Sequence, residues 1–260
     1  KSFVLRNAGN DWEQGSKYRD AAIQQVLRGK VDLETQDFQP VVMYLNGEYW
    51  GLINMRERFG EDYFAGYYDY ADDIDLLKYC NDSSYNFRAQ KGDTKRLGEL
   101  MTYLANNSMS DDANYQYVKN HYIDVDNMIN YYIAQLFSQN TDWPTNNMRM
   151  WRPRTENGKF RFPWYDADFG YGLWGGDAST NPWENFDKSG YKKKTSVAML
   201  NYMLENEEFK AEFVQRFYAM MATVYQSSIF KSIVNNIENQ LSAERSALMD
   251  EWTCTVNGGD

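Results

Sequence analysis

Two kinds of hydrophobic patterning divide this chain. Residues 39–45 and 48–55 are rich in strand-forming side chains, and Asn46-Gly47 separates them. Both turn residues tolerate positive φ, so the pair predicts a β-hairpin. Residues 74–80 have the same strand character. Within 18–28, by contrast, Ala21, Ala22, Ile23, Val26 and Leu27 form a stripe suited to one helix, which Gly29 ends. The polar stretch 6–15, with its Gly, Asn and Asp residues, predicts a loop.

From Thr94 onward helical spacing dominates. Leu97, Leu100, Met101 and Leu104 share one helix face, and 111–122 and 124–138 predict two further helices. Asp124 and Asp126 suit the positive end of the latter. A second hairpin is predicted from 148–151 and 159–163, turning at Asn157-Gly158. Residues 166–185, rich in Gly, Asp and Trp, predict an irregular loop. Helices at 196–204, 207–224 and 228–249 complete the chain. The order predicts a single α+β domain, with a small β-rich lobe over about 1–92 and a mostly helical lobe over 93–260.

Charge and composition narrow the function classes. The 260 residues carry a formal charge of -10, which argues against a nucleic-acid partner. The short basic run Lys192 to Lys194 reads as a solvated loop. The single histidine, His121, is near a predicted helix end and reads as structural; His-rich zinc sites are thereby excluded. Cys80 and Cys254 lack metal-type spacing, and either a long-range disulfide or two thiols fits them. No apolar run is long enough to span a membrane. Aromatic residues reach 17%, which supplies packing and leaves sugar or base stacking open.

The chemistry concentrates in two segments. Asp142 is followed five residues later by Asn147. Downstream, Pro163-Trp164-Tyr165 leads into Asp166-Ala167-Asp168-Phe169-Gly170. Phosphoryl transfer needs a carboxylate to orient the attacking hydroxyl, and oxygen ligands for magnesium, one of which can be an amide. An aspartate, an asparagine five residues on and a later metal-binding aspartate follow one another in protein-kinase catalytic loops. The predicted hairpin would bring the two segments together. Taken as isolated residues, Asp142 as a turn former and Asp166 and Asp168 as loop caps fit equally.

The wider pattern resembles the spore coat protein H (CotH) kinase family. The matching blocks are Leu5-Arg6-Asn7 with Asn10-Asp11, Tyr18-Arg19-Asp20, Tyr44-Leu45-Asn46-Gly47-Glu48-Tyr49-Trp50-Gly51, Arg56-Glu57, Leu77-Lys78, Asp142 with Asn146-Asn147, and the 163–170 segment. The resemblance implies an atypical protein-kinase-like fold. It also implies an ATP- and Mg2+- (or Mn2+-) dependent transfer of phosphate to Ser or Thr of extracytoplasmic or coat-type proteins. Asp142 then corresponds to the catalytic aspartate, with Asn147, Asp166 and Asp168 as metal ligands. Asp166 is favoured as the primary one, because Asp168 abuts Phe169 directly where the family commonly has an intervening residue. The implied location is secreted or cell-surface, with a signal peptide outside this chain.

Several residues carry a second reading. Lys78 would steady nucleotide phosphates, with Glu57 holding it in an ion pair, or would be a solvated edge lysine. Arg6 and Arg19 suit bidentate phosphate contact, and equally suit salt bridges to Asp11 or Asp20. Trp174, Gly175 and Gly176 would form a rim for protein substrate, or pack the loop. Two other function classes fit the same residues: a non-catalytic surface or adhesion module on the same fold, and a carbohydrate-active or sugar-binding domain with paired carboxylates.

Overall fold

The computed structural model describes residues 2–14, 16–80, 86–144, 146–173, 177–184 and 194–256; the side chains of 13, 14 and 243–256 lie outside that description. The fold is α+β. In chain order the elements are β1 (Phe3–Arg6), α1 (Asp11–Gln14), α2 (Arg19–Leu27), β2 (Phe38–Leu45), β3 (Glu48–Glu57), α3 (Glu61–Tyr67), β4 (Ile74–Cys80), β5 (Asn86–Lys91), α4 (Lys95–Asn106), α5 (Asp112–His121), α6 (Val125–Ser138), β6 (Arg149–Pro153), α7 (Thr195–Met203), α8 (Glu207–Thr223) and α9 (Ser227–Val256).

Two antiparallel sheets result, ordered β1-β3-β2 and β5-β4-β6. The β2–β3 hairpin turns at Asn46 (φ 52°) and Gly47 (φ 88°), the left-handed pair that the sequence anticipates. β1 pairs with β3 in a register that sets Arg6 opposite Asn54. The segment expected to be a loop thus begins as an edge strand and contains the short α1. β6 leaves the helical half of the chain and returns to β4, with Leu77 opposite Met150 and Lys78 opposite Arg149. The second sheet therefore draws strands from both sides of residue 92.

The predicted second hairpin forms only in part. Trp151 and Arg161 exchange backbone hydrogen bonds of 2.9 Å in both directions. The rest of the expected return strand pairs elsewhere. Phe160 N–H donates to the Tyr122 carbonyl, Phe162 N–H to Asn127 Oδ1 and Trp164 N–H to the Glu34 carbonyl. Each buried donor is satisfied without a ladder. Arg161 fixes this segment by gathering Asp32 (2.5 Å), Glu34 (2.6 Å) and Asp124 around one buried guanidinium.

Alternation along β4 gives the second sheet two apolar faces. Leu77 and Tyr79, with Phe87 and Met150, join the main core with α6. Leu76 and Trp151 face α3, where the Phe64 and Trp151 rings stack at 4.2 Å. On the first sheet, Ala21 and Ala22 of α2, Phe38 of β2, and Ile237 and Leu241 of α9 share a third cluster. α6 is buried on nearly all sides. Asp124 caps its start by accepting from Asn127 N–H, and Gln139 ends it in the left-handed conformation. That end delivers the chain directly to Asp142.

Candidate active site

The C-terminal end of α6 anchors both chemical segments. Asn140 Nδ2 donates to Gln135 Oε1 at 3.1 Å, and Asn140 Oδ1 accepts from Asp142 N–H at 3.3 Å. Asp142 in turn accepts from Asn146 Nδ2 at 2.9 Å and Asn147 Nδ2 at 2.8 Å, both on Oδ2. The second segment docks on the same helix end, through Tyr171 N–H to the Ser138 carbonyl at 2.8 Å. A Cβ on Gly170 would lie 3.2 Å from that carbonyl oxygen and 2.9 Å from Ile23 Cδ1. The absence of a side chain there permits the close approach.

The two aspartates of the second segment meet the N-terminal strand. Arg6 bonds directly to Asp166, and its Nη2 lies 3.5 Å from Asp168 Oδ2. Asn10 N–H donates to the same Asp168 oxygen at 2.7 Å. Gly9, at φ +64°, lets the loop come this close: a Cβ there would sit 2.3 Å from Asp168 Oδ2 and 2.5 Å from Arg6 Nη2. Asp20 supports the turn from below. Its carboxylate accepts from Ala167 N–H at 2.9 Å, Arg56 Nη1 at 2.9 Å and Gln24 Nε2 at 3.1 Å. Non-glycine left-handed backbones gather at this locus, at Ala8, Asn147, Asp166 and Tyr171. Such clustering stores strain that the surrounding contacts must hold.

The electrostatics suit a cation. Burial, reinforced by the charges of Asp20 and Asp168, outweighs Arg6 and pushes the Asp166 carboxyl up to about 6. Burial also raises Asp142, and the Asp168 charge adds to it, so the two segments feel one another. Asp168 is 1% exposed, and its Oδ1 is buried without a hydrogen-bond donor. An orphaned carboxylate oxygen among like charges is costly unless a positive group faces it. Among the described residues no three acidic, His or Cys side chains surround one point as a closed metal cage. Magnesium does not require one: it uses one or two carboxylates and completes its octahedron with phosphate oxygens and water. Asp166, Asp168 and the amide oxygen of Asn147 fit that donor set.

One sequence expectation changes. Glu57 does not hold Lys78. Its carboxylate accepts from Asp37 N–H at 2.8 Å and Tyr67 Oη at 2.9 Å, and it pairs with Arg28 at 3.4 Å. The physical reason is topological, since Glu57 ends β3 in one sheet and Lys78 belongs to β4 in the other. Arg19 makes the salt bridge that is one of its two readings. It pairs with buried Asp11 at 3.0 Å and donates to the Tyr171 carbonyl at 2.9 Å, bracing the chain after the second segment. Arg6 is placed on Asp166 and Asp168. His121 stacks on Tyr117 at 4.4 Å, and its Nδ1 lies 2.9 Å from the Tyr117 carbonyl oxygen. Trp174 to Gly176, Lys192 and Lys193 lie outside the described residues, as does the Cys254 side chain. Cys80 is a free thiol.

Gly9, Asn10, Asp20, Arg56 and Asn146 escaped assignment to the site from sequence. Asp20 opens the apolar run Ala21 to Ile23, which hints at burial, whereas Arg56 lies beside Glu57 and Arg58 and carries no such signal.

A scan of family models matches residues 1–255 to one described as CotH kinase protein. No curated protein matches the chain.

Proposed function

The chain belongs to the CotH kinase protein family, and from that premise we propose that it transfers the terminal phosphate of ATP to Ser or Thr hydroxyls of extracytoplasmic proteins. The observation that carries this reading is that Asp142 with its two asparagines and the segment of Asp166 and Asp168 are both anchored at the end of α6, near enough for the Asp168 charge to act on Asp142. Asp142 orients the attacking hydroxyl and takes its proton. Burial and the neighbouring Asp168 charge raise its proton affinity, which favours that role. Asn146 and Asn147 fix the carboxylate by bonding one oxygen, which leaves Oδ1 for the substrate. Asn147, Asp166 and Asp168 would hold a divalent cation. When bound, that ion neutralises phosphate charge and aligns the γ-phosphoryl group for in-line attack.

Arg6, which lies on Asp166 and Asp168, would offer its guanidinium to phosphate oxygens beside a bound cation. The chain's own contribution is positioning and charge stabilisation, with no covalent intermediate. Among the described residues no helix is long and apolar enough to cross a membrane.

The test is radiolabelled transfer from ATP to a Ser/Thr-rich protein with magnesium or manganese. Asp142→Asn removes the proton acceptor while keeping the shape, and transfer should fall by roughly 10²–10⁴-fold with ATP affinity retained. Wild-type protein that binds no ATP with either metal, or Asp142→Asn with undiminished transfer, overturns the assignment.

A further inference from the structure

A cavity of ≈420 Å³ opens between the two sheets and α3, with Tyr165, the neighbour of Asp166, in its wall. Arg149 of β6 lines it. This side chain is 9% exposed, and its guanidinium lies 3.8 Å from the Tyr165 ring centre. Among the described residues no carboxylate pairs with it, and its Nε is buried without any acceptor. Arg58 lines the same cavity. It is exposed and has no ion pair among the described residues.

Sheet register adds a third cation. Lys78 of β4 stands directly opposite Arg149 on one side and Arg88 on the other. Directly opposed strand residues share a face. That face is the one carrying Leu76 and Trp151, away from the main core. Like charges abreast repel, and a buried arginine without an anion is costly. The rest of the molecule handles its buried arginines differently: Arg56, Arg152 and Arg161 each have a carboxylate within 2.9 Å. The acidic residues of the cavity do not relieve Arg149. Glu61 is paired with Lys91 at 2.9 Å, Asp62 has a partner of its own, and neither forms an ion pair with Arg149 among the described residues.

We propose that Arg149, with Arg58 and Lys78, forms an anion site that takes the polyphosphate chain of the nucleotide. This deepens the phosphotransfer reading and rests on it for the nucleotide's identity. The planar guanidinium of Arg149 supplies paired N–H donors to phosphate oxygens, and Tyr165 holds it flat. Anchored there, the phosphate chain would lead towards Asp166, because Tyr165 connects cavity wall and metal ligand in the sequence. Lys78 thus acts across the strand pair with Arg149, and not through Glu57.

The experiment separates this site from the transfer chemistry. Binding of inorganic tripolyphosphate is measured by calorimetry in EDTA, and of a non-hydrolysable ATP analogue with manganese. Arg149→Gln and Arg58→Gln should each weaken tripolyphosphate by roughly tenfold or more, with a shallower dependence on salt. Lys210→Gln, which removes one exposed cation on α8, should leave it unchanged. Arg58 is exposed, so its variant keeps the test valid should Arg149→Gln melt early. The proposal is overturned when wild-type protein ignores tripolyphosphate, or when both arginine variants bind it and the ATP analogue as tightly as wild type. Retained analogue binding in those variants leaves phosphotransfer standing without this site. Tripolyphosphate binding that depends on the arginines, in a protein that transfers no phosphate, leaves the anion site standing without phosphotransfer.

Discussion

Asp20 tests whether the candidate site is held from beneath. Its buried carboxylate bonds Arg56 at 2.9 Å, Ala167 N–H at 2.9 Å and Gln24 at 3.1 Å. Arg56 is 3% exposed and already has one unpaired nitrogen, Nη2. Asp20→Ala leaves this guanidinium as a buried charge without its carboxylate, a change that costs about 3–5 kcal/mol. That loss is comparable with a large fraction of the ~5–15 kcal/mol by which a domain is stable. The assay is urea unfolding at neutral pH, followed by a double variant. Adding Arg56→Met to Asp20→Ala removes the stranded charge and should recover most of the loss.

Acid provides a second axis for the same residue. Burial alone would raise the Asp20 carboxyl, but Arg56, Arg6, the Ala167 N–H and Gln24 together hold it below its ordinary 3.8. Its contribution to stability is therefore present above pH 3.8 and lost as pH falls through the lower folded value. Asp20→Asn should flatten the wild-type decline in that acid window. A loss below about 1 kcal/mol for Asp20→Ala, or a double variant no more stable than the single, refutes the buried-pair account.

Three further outcomes follow from the geometry. Gly9→Ala places a methyl against Asp168 and Arg6 at a left-handed backbone position, so manganese-dependent ATP affinity should drop by roughly tenfold or more in calorimetry. Arg161→Met strips Asp32, Glu34 and Asp124 of their shared cation, and urea unfolding should register a loss of about 3–5 kcal/mol. Asp166→Asn in EDTA should gain stability relative to wild type as pH rises from 3.8 to about 6, because the folded protein disfavours that charge. The gain amounts to roughly 3 kcal/mol at most. The lost Arg6 pair adds a constant offset, so a difference that does not vary over this window refutes the assignment.

What the sequence determined by itself is local. Asn46-Gly47 specifies a left-handed turn, and the hairpin forms there because two adjacent residues meet its backbone demand. The spacing of Leu97, Leu100 and Leu104 specifies one buried helix face, and those residues are buried. The Asp142–Asn147 interval also lay in the sequence, because five residues of one loop suffice to bring the amide to the carboxylate. Strands β1 and β5 and helix α3 were not legible. β1 is held by its register with β3, and α3 by the stacking of Phe64 on Trp151, a residue 87 positions away. The partners of charged side chains were the least legible of all. Glu57 and Lys78 looked alike as a kinase pair, and sheet topology separated them. Arg6 reached Asp166 and Lys78 came beside Arg149 only through the return of distant strands. Backbone preference acts over a few residues and can be read along the chain. A long-range ion pair depends on which elements become neighbours, and that is decided when the apolar faces of sheets and helices close on one another.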